Sequence, residues 1–170
     1  ILSFGADFLS TWVSPIKYAR GYGVFRQGDR ERGTFVQIDS RFSMTGANAD
    51  EILFVKPGEE GLLALSIAQV IISEGLGNSG AVSALTGNGA VDMSVFAPET
   101  VAKRIGVNAD RIRKLAKDFA DPNHGPSIAI GGGSAAAQTN GLFNLVAIYS
   151  LNYLVGSVGK KGGIIFNPEP

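Results

Sequence analysis

The sequence predicts an α/β fold in which a Rossmann-like, mostly parallel sheet carries helices on both faces. Short apolar runs of four or five residues alternate along the chain with longer segments whose apolar residues recur at helical spacing. Polar residues and glycines follow the short runs directly. This alternation is typical of parallel sheets, because each strand is joined to the next by a crossover that usually contains a helix.

The first half of the chain contains three predicted strands and two predicted helices. The expected strands are Ile1 to Phe4, Phe35 to Asp39 and Ile52 to Val55. A helix is expected after Ser14, because serine can cap a helix whose first residue is proline. A second helix is expected from Pro57 through about Glu74, and its apolar residues cover most of its circumference.

The second half contains three predicted helices and two predicted strands. The segment from Gly75 to Asp92 holds five glycines, so we expect a mobile surface segment without a regular element. Two helices are expected from Pro98 to Gly106 and from a cap at Asn108 through Ala120. A strand from Ser127 to Ile130 and a helix from Leu142 to Val155 follow, and a last strand is expected in the tail.

The length of 170 residues suits a single domain, and the amino terminus suggests that this domain belongs to a longer protein. The chain opens on Ile1, inside an expected core strand. The helices that contain Leu62 to Ile72 and Leu142 to Val155 are apolar on too many sides for a helix with one buried face. We expect part of their surface to lie between layers or to be covered by other domains of the parent.

The composition argues against several classes of function. There are 15 basic and 15 acidic residues, so nothing indicates a nucleic-acid partner or an anionic membrane surface. With no cysteine and one histidine, His124, this segment can build neither an iron–sulfur site nor a histidine metal site. The longest apolar run, Leu142 to Val155, is shorter than the roughly 18 residues of a membrane span.

One rival interpretation is DNA binding by the helix pair between Pro98 and Ala120. Its spacing could pass for a helix–turn–helix, with basic side chains placed to meet phosphates. These are Arg111, Arg113, Lys114 and Lys117. The balanced net charge and the position of the pair between sheet elements argue against this interpretation.

Four loops should meet at the carboxyl edge of the sheet, where open α/β folds bind their ligands. Glycines in these loops would allow close approach of a ligand to backbone N–H groups. They are Gly5, Gly58 and Gly131 to Gly133. Asp39 stands where ribose-binding acids stand in dinucleotide folds, and Glu60 could accept from the N–H edge of a guanine. Helix amino termini after Pro57 and near Gln138 favour anions, so the set suits a nucleotide diphosphate.

Structural interpretations of the same residues stay open. Glycines after strands are common in turns, and the loops match neither a Walker loop nor the dinucleotide fingerprint. Asp39 could cap the turn that follows it. Arg41 could pair with Asp50 or Glu51 nearby in the sequence.

Four segments of the sequence carry a family resemblance. The first is "VQIDSRFSMTGANADEILFVKPGEEGLLALSIAQVI", which is similar to the pattern D-P-R-x-[ST]-x-T followed by P-G-T-D and an apolar helix. The others are "APETVAKRIGVNADRIRKLAKDFA", "PSIAIGGGSAAAQTNG" and "LNYLVGSVGKKGGI". In this order they resemble motifs of the molybdopterin oxidoreductases of the dimethyl-sulfoxide-reductase superfamily, over nearly the whole chain. The resemblance is strongest to the polysulfide-reductase branch and to the molybdopterin-like subunit of alternative complex III.

The resemblance implies a Rossmann-like domain that holds the guanine-dinucleotide part of a bis(molybdopterin guanine dinucleotide) cofactor. Gly5 and Asp7 would lie near the pyrophosphate, and Asp39 and Arg41 near the guanosine. Pro57, Gly58 and Glu60 would lie at the guanine. The implied cofactor-binding set is completed by Thr45, Gly131, Gly133, Gln138, Thr139 and Asn140.

Departures from the family pattern support a second interpretation. Asp7 and Phe8 stand where the family usually has asparagine and proline, Ser40 replaces a proline, and Glu60 replaces an aspartate. A carboxylate that faces a pyrophosphate is unfavourable by roughly 1 kcal/mol or more unless it is paired. The alternative is a cofactor-free structural homologue in a quinol-oxidising membrane complex.

The resemblance also implies how this chain would work with the rest of its parent. The metal ligand and the iron–sulfur cysteines of the family lie outside this sequence. We therefore expect the chain alone to be catalytically inactive and empty of cofactor. Its partners would be the remaining domains of the parent chain, together with iron–sulfur and membrane subunits. The expected location is the periplasm or the outer face of a membrane.

Overall fold

The computed structural model describes residues 1–27 and 32–167, which contain four strands and seven α-helices. The strands are β1 (Leu2–Phe4), β2 (Val36–Asp39), β3 (Glu51–Phe54) and β4 (Ala129–Gly131). The helices are α1 (Pro15–Arg26), α2 (Met44–Ala47), α3 (Glu60–Ser73), α4 (Ser79–Thr86), α5 (Pro98–Ile105), α6 (Ala109–Ala120) and α7 (Gly141–Leu154).

The four strands form one parallel sheet in the order β3-β2-β1-β4. Leu2 is in register with Val36 on one side and with Ala129 on the other. The two inner strands, β1 and β2, are buried along their whole length. The predicted α/β fold with a parallel sheet is therefore confirmed, and the carboxyl ends of all four strands lie at one edge.

Both faces of the sheet are covered. Phe4 and Ile38 face one side and belong to a single buried cluster with Ile67 of α3 and Ile148 of α7. On the opposite face, Phe35 packs against two aromatic rings, that of Phe8 at 5.5 Å and that of Tyr22 in α1 at 6.2 Å.

Helix α3 lies between layers, as its apolar circumference predicted. It packs against α5, α6 and α7, and its Leu63, Ile67 and Ile71 are fully buried. A Cβ atom at Gly61 would lie 2.4 Å from Oδ1 of Asn144, so glycine is needed where α3 approaches α7. Helix α7 differs from α3, because one of its faces is open. The exposed apolar residues of that face are Leu142, Phe143, Val146, Tyr149 and Tyr153.

The prediction of no regular element between Gly75 and Asp92 is wrong. Helix α4 occupies the middle of this segment. Asn78 caps it by accepting from the N–H of Ala81 at 3.1 Å, and Gly87 ends it at a φ of 58°. Asparagine before a helix and glycine after it are standard helix-end signals. The five glycines of the segment nevertheless favoured the prediction of an irregular loop.

Other boundaries shift for physical reasons that the structure shows. Helix α3 begins at Glu60 instead of Pro57, because Gly58 has a φ of +87° that no helix accommodates. In the tail, the described residues form only an isolated bridge between Val158 and Ile164 in place of the expected strand. The short helix α2 was not predicted.

The helix pair α5 and α6 is confirmed. As expected, α5 ends at Gly106 and α6 begins after its cap at Asn108. The four basic side chains considered for DNA binding all take part in ion pairs with carboxylates. The pairs are Arg111 with Glu51, Arg113 with Glu99 and Asp110, Lys114 with Asp118, and Lys117 with Glu74.

None of the helices within the described residues is long and apolar enough to span a membrane.

The edge strand β4 is anchored by Asn152, a fully buried residue of α7. The Asn152 side chain donates to the carbonyl of Ala129 at 2.8 Å and accepts from its N–H at 2.8 Å. We expect Asn152→Ala to lower the free energy of unfolding by about 2–4 kcal/mol, because it leaves two buried backbone groups unpaired.

Urea unfolding checks this prediction, with Ser150→Ala as the matched control. The Ser150 hydroxyl donates only to Val146 within the same helix, so its loss should change the free energy of unfolding by about 0.5 kcal/mol or less. If the two variants are equally stable, the proposed anchoring of β4 is wrong.

Candidate functional site

The loops that follow the strands converge at the carboxyl edge, as the parallel sheet predicted. The Ser134 hydroxyl, after β4, donates to Oδ1 of Asp39 at the end of β2, at 2.9 Å. Asn140, at the start of α7, donates to the carbonyl of Gly58 after β3, at 2.8 Å. Thr45, after β2, contacts Asp7, after β1. Side chains therefore link all four loops.

Asp7 is buried and already has hydrogen-bond partners. Its Oδ1 accepts from the backbone N–H of Thr45 at 3.1 Å and from the Thr45 hydroxyl at 2.6 Å. An Nη2 atom of Arg41 lies 3.4 Å from Oδ2. The alternative in which Arg41 pairs with Asp50 or Glu51 is wrong, because those acids bind other arginines: Arg26 and Arg32 pair with Asp50, and Arg111 pairs with Glu51.

Asp39 is fully buried and has even more partners. Its Oδ1 accepts from the N–H of Ser40 at 2.8 Å and, at longer range, from that of Arg41 at 3.4 Å, besides the Ser134 hydroxyl. Its Oδ2 accepts from the Gln37 side chain at 3.2 Å. Asp39 therefore caps its own turn, which was the structural alternative, and its contacts leave little capacity for a ribose.

The glycines of the first and fourth loops bring protein segments together. Gly5 has a φ of +65°, and a Cβ atom there would lie 2.3 Å from the Ser134 hydroxyl and 2.7 Å from the N atom of Ala135. A Cβ at Gly133 would lie 2.2 Å from the Gly5 carbonyl oxygen. A Cβ at Gly131 would lie 3.0 Å from Ile148 of α7. These glycines therefore allow close contact between segments of the protein itself, where the sequence predicted close contact with a ligand.

Glu60, the first residue of α3, is the exception among the acids of this edge. Its side chain is fully buried, and neither carboxylate oxygen has a hydrogen-bond partner among the described residues. Burial raises the pKa of Glu60 above its ordinary value of 4.5, and nearby Asp39 and Glu59 raise it further. The N–H groups of Glu60 and Gly58 offset this in part, although neither makes a hydrogen bond of standard geometry.

The remaining predicted residues form the exposed rim of the edge. Pro57, Gln138, Thr139 and Asn140 are exposed, and the Arg41 side chain is 60 % exposed. Two clefts of about 490 and 550 Å³ among the described residues lie elsewhere and contain none of the predicted site residues. Within the described residues, no three histidine, cysteine or acidic side chains could together hold a metal ion.

The sequence indicated the site residues better than it indicated their hydrogen-bond partners. Ser134 and Gln37 were not singled out, although both bind Asp39. Ser134 directly follows three glycines at the end of a strand, so its position at the edge could have been read from the sequence. The four-residue helix α2, which carries Thr45, is too short to leave a periodic signal.

The fold and the edge define a Rossmann-like α/β domain whose strand-end loops meet at one polar site. No protein-family model matches the chain. It is 30 % identical over 169 residues to the molybdopterin-binding-like subunit of menaquinone reductase from Nitratidesulfovibrio vulgaris, a match that covers 96 % of this chain and 23 % of that protein. The chain belongs to the dimethyl-sulfoxide-reductase family of molybdopterin oxidoreductases.

Two further comparisons support this assignment. The molybdopterin-containing subunit of an arsenate respiratory reductase from Chrysiogenes arsenatis is 32 % identical over 164 residues, covering 81 % of this chain and 19 % of that protein. The structure of acetylene hydratase from Pelobacter acetylenicus matches with a TM-score of 0.69 and 26 % identity, over 92 % of this chain and 21 % of the other. The chain therefore spans less than a quarter of the length of these relatives.

The crowding at Gly5 gives a direct test of the geometry of the edge. We expect Gly5→Ala to lower the free energy of unfolding by about 3 kcal/mol or more, because overlap with Ser134 and Ala135 adds to backbone strain. Gly106→Ala is the control, since Gly106 also has a positive φ but no atom near its Cβ position. It should lower the same quantity by only about 1 kcal/mol in thermal or urea unfolding. Equal losses would show that the loops do not pack as described.

The unpaired carboxylate of Glu60 predicts a pH-dependent stability. Because its pKa is higher in the folded chain, stability falls as the pH rises through 4.5 and then through the raised value. Glu60→Gln should therefore raise the free energy of unfolding at pH 7 by about 1 kcal/mol or more. The gain should largely vanish at about pH 4, where Glu60 of the wild-type chain is mostly protonated in both the folded and the unfolded state.

Urea titrations at the two pH values measure this difference. Glu99→Gln is the matched control, because Glu99 also lies in the first turn of a helix but pairs with Arg113 and is exposed. A gain that is the same at both pH values would mean that Glu60 is not a buried, unpaired acid.

Proposed function

We propose that residues 1–170 form one domain of a longer molybdopterin-family oxidoreductase subunit. In that protein, the carboxyl edge would hold the guanine end of a bis(molybdopterin guanine dinucleotide) cofactor. The observation that carries this proposal is the Glu60 carboxylate, which is buried at the start of α3 without a hydrogen-bond partner among the described residues. A buried acid in this state is costly to the fold, so a ligand that supplies donors would explain its presence.

The chemistry of Glu60 fits a guanine ring. Guanine presents two adjacent N–H donors, which one carboxylate can accept together. Such charge-assisted bonds are worth roughly 1.5–3 kcal/mol each when buried. The ring would have to displace the groups that now cover Glu60, because its side chain is fully buried. The cofactor, when bound, would supply the redox chemistry; the chain's own residues would bind and orient it.

The rim residues are suited to the outer part of the same ligand. Arg41, Gln138 and Thr139 are exposed beside the loops that flank Glu60, and they offer a cation, an amide and a hydroxyl. Asn140 holds the Gly58 carbonyl and so positions the turn that precedes Glu60. Asp7 and Asp39 fit less well, since their oxygens are occupied by protein donors.

The parent protein would supply what this chain lacks. We propose that other domains of the parent provide the metal ligand, and that iron–sulfur and membrane subunits complete the electron path. A position in the periplasm or on the outer face of a membrane is part of the same proposal. The names of the relatives support a reductase assembly, since they include a menaquinone reductase subunit and an arsenate respiratory reductase subunit. The chain alone should transfer no electrons.

A cofactor-free structural domain in a quinol-oxidising complex is the second candidate. The specific observation in its favour is that the carboxylates of Asp7 and Asp39 have hydrogen-bond partners inside the protein, so that the Thr45 donors beside Asp7 are already occupied. The relative from Nitratidesulfovibrio vulgaris is itself described as molybdopterin-binding-like.

Cofactor content of the parent protein tests both candidates. Glu60→Gln keeps the size of the side chain but turns one acceptor into a donor that would face guanine's own N–H groups. We expect pterin and metal content to fall severalfold in this variant while the protein stays folded. Glu59→Gln, the neighbouring control, should keep the wild-type content.

The other outcomes separate the candidates. Unchanged pterin content in Glu60→Gln would remove Glu60 from the cofactor site. A wild-type parent that contains no pterin would instead favour the structural domain.

A further inference from the structure

The donors that hold Asp7 are the kind that bind phosphate oxygens. Its carboxylate receives an amide N–H and a hydroxyl from Thr45, and a guanidinium from Arg41 lies 3.4 Å away. Proteins use this combination of groups to hold phosphates and other oxyanions. Here the groups are occupied by a side chain of the same molecule, and Asp7 itself is only 5 % exposed.

The residues that follow Asp7 fix it in this position. Phe8 is buried against Phe35 at 5.5 Å and Trp12 at 6.3 Å between ring centroids. The N–H of Leu9 donates to the Thr45 hydroxyl at 3.0 Å, so that hydroxyl both donates to Asp7 and accepts from Leu9. An outward movement of the backbone at Asp7 would therefore disturb an aromatic cluster and the hydrogen bond between Leu9 and Thr45.

The surroundings also oppose an incoming anion. On the other side of the first loop, Ser134 and the backbone after it fill the space beside Gly5. Asp39 and Glu60 place two more carboxyl groups at the same edge, close enough for Asp39 to influence Glu60. Each charge on an added phosphate would be repelled by these carboxylates unless the edge rearranged.

We propose that Asp7, anchored by Phe8, is a built-in substitute for a phosphate and closes this part of the edge to phosphate-containing ligands. This inference does not need the proposed cofactor site at Glu60. If that site is also correct, a bound dinucleotide must carry its diphosphate away from Asp7, along the exposed side of Arg41. If it is wrong, the closure of this part of the edge by Asp7, which we call the Asp7 plug, is a property of a purely structural domain.

Calorimetric titration of the chain with inorganic pyrophosphate at low ionic strength tests the plug. The wild-type chain should show no saturable binding. Asp7→Ala should bind pyrophosphate at least about tenfold more tightly than the weakest binding that the titration can detect, because Thr45 and Arg41 are released. The double variant Asp7→Ala/Arg41→Gln should lose most of this gain. Glu51→Gln is the matched control, since it frees Arg111 at the opposite end of the sheet and should gain nothing.

Three results would overturn the proposal. They are tight pyrophosphate binding by the wild-type chain, a gain in Glu51→Gln equal to that in Asp7→Ala, or a gain that survives the loss of Arg41. Circular dichroism confirms that each variant is folded. If Asp7→Ala unfolds, Asp7→Ser keeps a small polar side chain but removes the carboxylate that occupies Thr45 and Arg41, and pyrophosphate should then raise its melting temperature but not that of the wild-type chain. The absence of such a rise would also reject the plug.

Discussion

The arrangement of the carboxyl edge depends on the Asp39 carboxylate at the end of the inner strand β2. Because Asp39 is fully buried, its charge requires donors, and the Ser134 hydroxyl from the β4 loop is one of them. That bond brings the β4 loop across the end of β1, where Ser134 and Gly133 crowd against Gly5. The tight turn at Gly5 then directs Asp7 towards Thr45. One buried acid thus fixes the path of three loops.

The part of the structure that could be predicted from sequence is the part set by local pattern. The strands follow from short apolar runs, and a parallel sheet brings their carboxyl ends together whatever the loops contain. This is why Gly5, Asp39 and Gly133 were expected at one edge before their contacts were known. The ends of α5 and α6 were equally predictable, since Gly106 and Asn108 act through their own backbone and side-chain geometry.

Local sequence pattern does not predict contacts between residues that are distant in the sequence. Asp7 and Thr45 are 38 positions apart, and their bond depends on α2, a helix of four residues. Arg41 was matched to acids near it in sequence, but Asp50 precedes β3 and lies at the amino end of the sheet, with Arg26. Periodicity likewise shows that a helix is apolar without showing what covers it. It therefore described α3, which is enclosed, and α7, which keeps an open apolar face, in the same terms.

Three carboxylic acids at this edge differ in what surrounds them. Asp7 and Asp39 have partners within the chain, so the fold alone accounts for them. Glu60 has none among the described residues, and its pKa is raised by burial without a compensating cation. A group that destabilises the free domain is better explained by a bound state than by the fold. On the function proposed above, the ligand would bring N–H donors to Glu60 and would keep its negative charge away from Asp7.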